Sequence, residues 1–125
     1  MKPILIVEDN DKNLKLVRDV LRFKGYQTIE AMTAEEGLRL ARQELPALIL
    51  MDIQLPDFDG ITALTRLRAD ALTRETPVLA VSASAMPDDQ QKIIASGFND
   101  YIMKPIDILH LIETVERFIG KAPKQ

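Results

Sequence analysis

Short apolar runs alternate with amphipathic segments from one end of the chain to the other. Ile4-Leu5-Ile6-Val7, Ala47-Leu48-Ile49-Leu50-Met51 and Val78-Leu79-Ala80-Val81 are continuous, as in strands buried on both faces. Strands are predicted over residues 3–8, 26–31, 47–52, 77–82 and 99–103. Between them apolar residues recur every three or four positions, which predicts helices. These cover about residues 11–24, 33–44, 61–71, 87–96 and 107–119. Local signals agree at the ends. Gly25 stands where a left-handed helix cap is favoured. Thr33 is an N-cap with Glu36 three residues on, Pro46 ends the second helix, and Asp107 caps the last. Residues 54–60 hold Pro56, Asp57, Asp59 and Gly60 and read as a loop.

Five strands alternating with five helices imply right-handed crossovers, and so a parallel sheet covered on both faces. The predicted class is α/β, a doubly wound five-stranded parallel sheet in flavodoxin-like order 2-1-3-4-5. Ligands of such sheets bind beyond the carboxyl ends of the strands, where the order reverses. Here that point lies between the first and third strands.

Those ends carry acid. The first strand runs into Glu8-Asp9 and the third ends on Asp52. A carboxylate at the tip of a buried strand must be paired, metal-bound or hydrogen-bonded. Three acids in one pocket repel each other, and a cation relieves the repulsion. Oxygen donors without histidine or cysteine select a hard ion such as Mg²⁺. Asp9 and Asn10 also precede a helix, where either residue serves as an ordinary N-cap. The fourth strand ends at Ser82, followed by the small residues Ala83, Ser84 and Ala85; the fifth ends at Lys104-Pro105. A hydroxyl and an ammonium there suit a phosphoryl group, although turn serines and solvated lysines are common. The Lys104-Pro105 bond is of the kind that can be cis. A metal, a carboxylate nucleophile, a hydroxyl and an ammonium together match phosphoryl transfer. There is no glycine-rich P-loop for a nucleoside triphosphate.

Composition narrows the class further. The chain has 125 residues, 46% of them hydrophobic, which suits one domain with a proper core. A net charge of −3 argues against a broad nucleic-acid footprint. Cysteine is absent, so disulfides and thiolate metal sites are excluded. No apolar stretch approaches membrane-spanning length, and the expected location is cytoplasmic.

The chain resembles the receiver domain of two-component response regulators. The resemblance runs from Lys2 to about Gly120. It rests on residues 4–10 (ILIVEDN), 50–56 (LMDIQLP) with Asp59-Gly60, 77–83 (PVLAVSA) and 97–105 (GFNDYIMKP). Glu8-Asp9-Asn10 with Asn13, and Lys104-Pro105-Ile106, look most like stand-alone cell-division receivers of the DivK type. The resemblance implies that Asp52 is the phosphoacceptor. Asp9 and Asp52 would hold Mg²⁺ directly, Glu8 through water, and Gln54 by its backbone carbonyl. Ser82 and Lys104 would contact the phosphoryl group, and Tyr101 would be an aromatic switch moving inward as Ser82 engages it. Threonine is commoner at position 82; serine lacks the methyl that restricts the side chain, which would weaken the coupling. The donor would be a phosphohistidine on a histidine kinase or phosphotransfer protein. Residues 1–120 would form the receiver and 121–125 a polar tail, with no room for an output domain. Output would then be a protein target bound at the face of the fourth helix, fifth strand and fifth helix, without nucleic acid or membrane.

Two other functions compete. A small Mg²⁺-dependent aspartate phosphohydrolase needs a second acid behind the nucleophile, and Gln54 stands in that place. A flavodoxin-like cofactor binder needs hydroxyls and glycines after the first strand, where Asp9, Asn10 and Asp11 stand instead. The receiver reading expects no separate substrate turnover. His110 falls off the apolar face of its helix, formed by Ile108, Leu111, Ile112, Val115 and Ile119, and reads as a surface residue. On the first helix Leu14, Val17 and Leu21 form a core stripe that Leu16, Val20 and Phe23 widen. Leu16 or Phe23 is a candidate for docking a helical phosphotransfer partner beside the acid pocket.

Overall fold

A computed structural model describes residues 2–57, 59–83 and 86–122. Ser84 and Ala85, expected as small neighbours of Ser82, and residues 123–125 of the expected tail lie outside that set. The elements run β1 (Ile4–Val7), α1 (Asp11–Phe23), β2 (Thr28–Ala31), α2 (Ala34–Glu44), β3 (Leu48–Asp52), α3 (Gly60–Ala69), β4 (Val78–Ser82), α4 (Pro87–Ala95), β5 (Asp100–Met103) and α5 (Ile108–Ile119). All pairings are parallel and the order is β2-β1-β3-β4-β5, as expected.

The three central strands are buried along their whole length, which is why their sequences do not alternate. Successive side chains still point to opposite faces. Leu5, Val7, Ile49, Met51, Val78 and Ala80 pack with α2, α3 and α4. Ile4, Ile6, Leu48, Leu50, Leu79 and Val81 pack with Leu14, Val17 and Leu21 of α1 and Leu111 and Val115 of α5. Register then places the chemistry. Val7 pairs with Met51, so Glu8 comes level with Asp52 at the next step. Ser82 pairs with Met103, so Lys104 follows directly beyond it.

The helix ends show why the chain turns where it does. Gly25 has a φ of 98°, and its N–H and that of Tyr26 bond to the carbonyls of Arg22 and Leu21, a Schellman cap. That second bond holds Tyr26 in the cap, so β2 begins at Thr28 rather than at 26. The Tyr26 hydroxyl donates to the Gly120 carbonyl at 2.5 Å, fastening the end of α5. Asp107 caps α5 through the N–H groups of Leu109 and His110.

Other boundaries move for local reasons. Helix α3 stops at Ala69, two residues early, because Asp70 turns to extended backbone and the buried Thr73 hydroxyl takes the Leu67 carbonyl at 2.6 Å. On α5 the expected apolar face is narrower: Ile108 is exposed, while Thr114 is buried with its hydroxyl donating to the His110 carbonyl. His110 itself is exposed, as expected. Phe23 is 90% exposed but lies in the last turn of α1, about 18 Å of helix from the end that starts at the pocket. It lies at the end of α1 away from the acids. Leu16 is half-buried and nearer the pocket end.

Gly60 opens α3 where the chain returns past Asp52. A Cβ there would come 2.8 Å from the Asp52 carbonyl oxygen and 2.9 Å from the Ile53 Cα, both backbone atoms unable to swing away. Gly60→Ala is expected to lower stability by about 1–3 kcal/mol in denaturant unfolding, with the strand end at Asp52 displaced. Unchanged stability would show that the close approach is not rigid.

Candidate functional site

Four strand ends supply the site. Glu8 and Asp9 follow β1, Asp52 ends β3, Ser82 ends β4 and Lys104 follows β5. Asn10, not Asp9, caps α1 by accepting the Asn13 N–H at 3.0 Å, which leaves Asp9 exposed at the pocket mouth. Glu8 and Asp52 are 4% and 5% exposed. Their ionised forms are costly there unless paired. Lys104 provides the pairing: its Nζ lies 3.0 Å from Glu8 Oε1 and 2.9 Å from Asp52 Oδ2. The remaining oxygens take backbone donors, Asn10 N–H to Glu8 Oε2 at 3.2 Å and Gln54 N–H to Asp52 Oδ1 at 2.9 Å. The Lys104-Pro105 bond is cis.

Among the described residues, one group of acids comes close enough to hold a metal: carboxylate oxygens of Glu8, Asp9 and Asp52 lie within 4.8 Å of one another. Three carboxylates against one ammonium leave two formal negative charges when all are ionised. The donor set is oxygen only and suits a hard divalent cation. Beside it opens a cleft of about 220 Å³. Asp52, Ser82 and Lys104 line it together with Ile53, Ile61 and Ile93, and Asp89 and Lys92 reach it from α4.

Tyr101 stands apart from this group. It is half-buried on β5, and its hydroxyl donates to Gln90 Oε1 on α4 at 3.0 Å. The Gln90 amide in turn donates to the sulfur of Met103 at 3.3 Å.

A model of the response regulator receiver domain matches residues 4–116. The chain belongs to the response regulator receiver family. The polar-differentiation response regulator DivK of Brucella ovis is 45% identical over 121 residues, 97% of this chain and 98% of that protein. A solved receiver domain of the sensor histidine kinase PA1611 from Pseudomonas aeruginosa PAO1, with a magnesium ion coordinated in its active-site cleft, superposes with a TM-score of 0.87. It is 33% identical, across 96% of this chain and 98% of that one. The chemotaxis response regulator CheY4 of Vibrio cholerae shares the fold, with a TM-score of 0.88 at 24% identity across 94% and 98% of the two chains.

Sequence reading singled out Glu8, Asp9, Asp52, Ser82 and Lys104, but passed over three residues of this receiver. Asp89 and Lys92 sit on an ordinary polar helix surface with no local signal. Asp57 reads only as a loop acid. Its carboxylate accepts the N–H groups of Ala34 and Glu35, both at 2.9 Å, more than twenty positions away.

Burial is the main cause that pushes the Glu8 carboxyl up to about 7; the nearby Asp52 adds to it and Lys104 opposes it. Burial works to lower Lys104, but its contacts with Asp52 and Glu8 prevail and its net shift is upward. An unfolded glutamate ionises near 4.5. Between there and about 7 the folded chain holds a proton that the unfolded chain has lost, so stability declines as pH rises across that window. Thermal unfolding of chelator-treated protein should show this decline from pH 5 to 7, and Glu8→Gln should flatten it. A slope that survives the substitution would assign the proton elsewhere.

Proposed function

We propose that this receiver accepts a phosphoryl group on Asp52 from a phosphohistidine of a partner kinase or phosphotransfer protein. The supporting observation is the Lys104 ammonium held between two buried carboxylates at adjacent strand ends. That arrangement holds the Asp52 carboxylate in place while leaving one flank open to the cleft. An Asp52 carboxylate oxygen attacks phosphorus, the bond from phosphorus to the imidazole nitrogen breaks, and its electron pair stays on the nitrogen.

Asp9 and Asp52 would hold Mg²⁺ directly, Glu8 through water, and the Gln54 carbonyl would complete the set. When bound, the ion supplies positive charge to the phosphoryl oxygens. Lys104 then exchanges its contact with the Asp52 carboxylate for one with the phosphoryl group. The Ser82 hydroxyl donates to another oxygen and draws the start of the β4–α4 connection. For Tyr101 to follow inward, its hydroxyl must leave Gln90. The consequence is a shift between two populations of the α4–β5–α5 face, where Ile94 and Leu109 are exposed.

The DivK relative matches over nearly its whole length, which supports a single-receiver regulator spanning residues 1–120 with 121–125 as a tail. Its output is contact with a protein target, in the cytoplasm, with neither nucleic acid nor membrane as partner. Among the described residues no helix is long and apolar enough to cross a membrane. A phosphohydrolase is not favoured. Gln54 lines the cleft where a general acid would stand, and an amide has no such proton to give. We accordingly assign no separate substrate turnover.

Acetyl phosphate with Mg²⁺ should add one phosphoryl mass to the wild type and none to Asp52→Asn. Labelling that persists in the variant would overturn the assignment. Leu16→Ala should slow transfer from a phosphohistidine partner while sparing acetyl-phosphate labelling, and equal loss of both would remove Leu16 from the docking surface.

A further inference from the structure

The chain between β3 and α3 carries Gln54 and so determines where that carbonyl stands relative to Asp9 and Asp52. Each of its ends is fixed. The Gln54 N–H bonds to Asp52 Oδ1 at 2.9 Å, and the Gly60 N–H closes on the Ile53 carbonyl at 2.8 Å. Asp59 caps α3 through the Thr62 N–H at 2.7 Å. Between these points Asp57 reaches across to α2, with one oxygen on Ala34 N–H and the other on Glu35 N–H, both at 2.9 Å.

The first turn of α2 is thereby fully satisfied. Its first two N–H groups go to Asp57, the Glu36 N–H to the Thr33 hydroxyl at 3.1 Å, and the Gly37 N–H to the Thr33 carbonyl at 3.0 Å. The positive end of the helix dipole also favours a carboxylate there. The anchor itself is seated on the site. A Cβ on Gly37 would come 2.8 Å from a methyl of Val7, the residue before Glu8. Helix α2 therefore packs closely against β1 at this point, and Asp57 ties the loop of β3 to it. Both strand ends that bear acids thus contact one helix.

We infer that Asp57 is a positioning residue for the metal site, holding the Gln54 loop at the distance that Mg²⁺ binding requires. The inference rests on the proposed Mg²⁺ set. Asp57 acts through the loop, as an outer-shell group that orients a ligand, and losing such a group typically weakens metal affinity 10- to 100-fold. The mutual prediction is that a bound ion stiffens the α2 N-terminus.

The test compares Asp57→Ala with Thr33→Ala, which removes the other cap of the same helix and leaves the loop tied. Calorimetric titration with Mg²⁺ should show affinity weakened about tenfold in Asp57→Ala and changed less than twofold in Thr33→Ala. Both should lose comparable melting temperature. Asp57→Asn keeps one acceptor oxygen and should recover part of the affinity. In the wild type, Mg²⁺ should slow hydrogen exchange at the Ala34 and Glu35 amides, an effect absent from Asp57→Ala. Wild-type affinity in Asp57→Ala, or equal weakening in Thr33→Ala, overturns the inference alone. A wild type that binds no Mg²⁺ overturns the site reading and the inference with it.

Discussion

Everything at the carboxyl edge of the sheet depends on one ammonium group held between two buried carboxylates. Glu8 and Asp52 sit on adjacent parallel strands, and register brings them level with almost no water around them. Left together without a cation, one would take up a proton and the other would repel any incoming phosphate. Lys104, two strands away, removes that conflict. Deleting one member of such a buried set commonly costs about 3–5 kcal/mol, because the charge left behind has no solvent to turn to. The upward push on the Glu8 carboxyl, to about 7 and chiefly from burial, is the residue of that tension. With Asp9 beside them, the ionised acids outnumber the single ammonium, a setting of oxygen donors that suits a hard divalent cation.

The sheet was legible because its central strands are buried on both faces and so appear as unbroken apolar runs. Their parallel arrangement followed from the alternation with helices and their order from the common doubly wound pattern, and the acids at their tips stood out against those runs. What sequence could not supply was mostly tertiary. Tyr26 carries strand-like neighbours but is taken by the cap of α1. Leu45 precedes a proline that correctly signals a helix end, yet it adopts a left-handed conformation at φ 47° that nothing in its side chain announces. Ile108 fits the apolar period of α5 and is nonetheless outside the contact with the sheet.

The site divides along the same line. Glu8, Asp9, Asp52, Ser82 and Lys104 were each marked by standing directly at a strand end, a position that topology turns into proximity. Asp57, Asp89 and Lys92 carry no such mark, since a loop acid or a helix-surface lysine is unremarkable until its neighbour is known. Phe23 shows the same limit from another side. Its helix was right, but only the direction of the helix axis tells that it stands at the end of α1 away from the acids.

The order in which the chain contributes these groups has a consequence for synthesis. The acids are made first, at positions 8, 9 and 52, and their counter-charge arrives only at position 104, after the last of the five strands. A chain cut short before β5 would bring the acids together with nothing to neutralise them. The acids and the ammonium that offsets them thus become neighbours only once β5 has joined the sheet, so the balance of charge at this edge is a property of the complete fold.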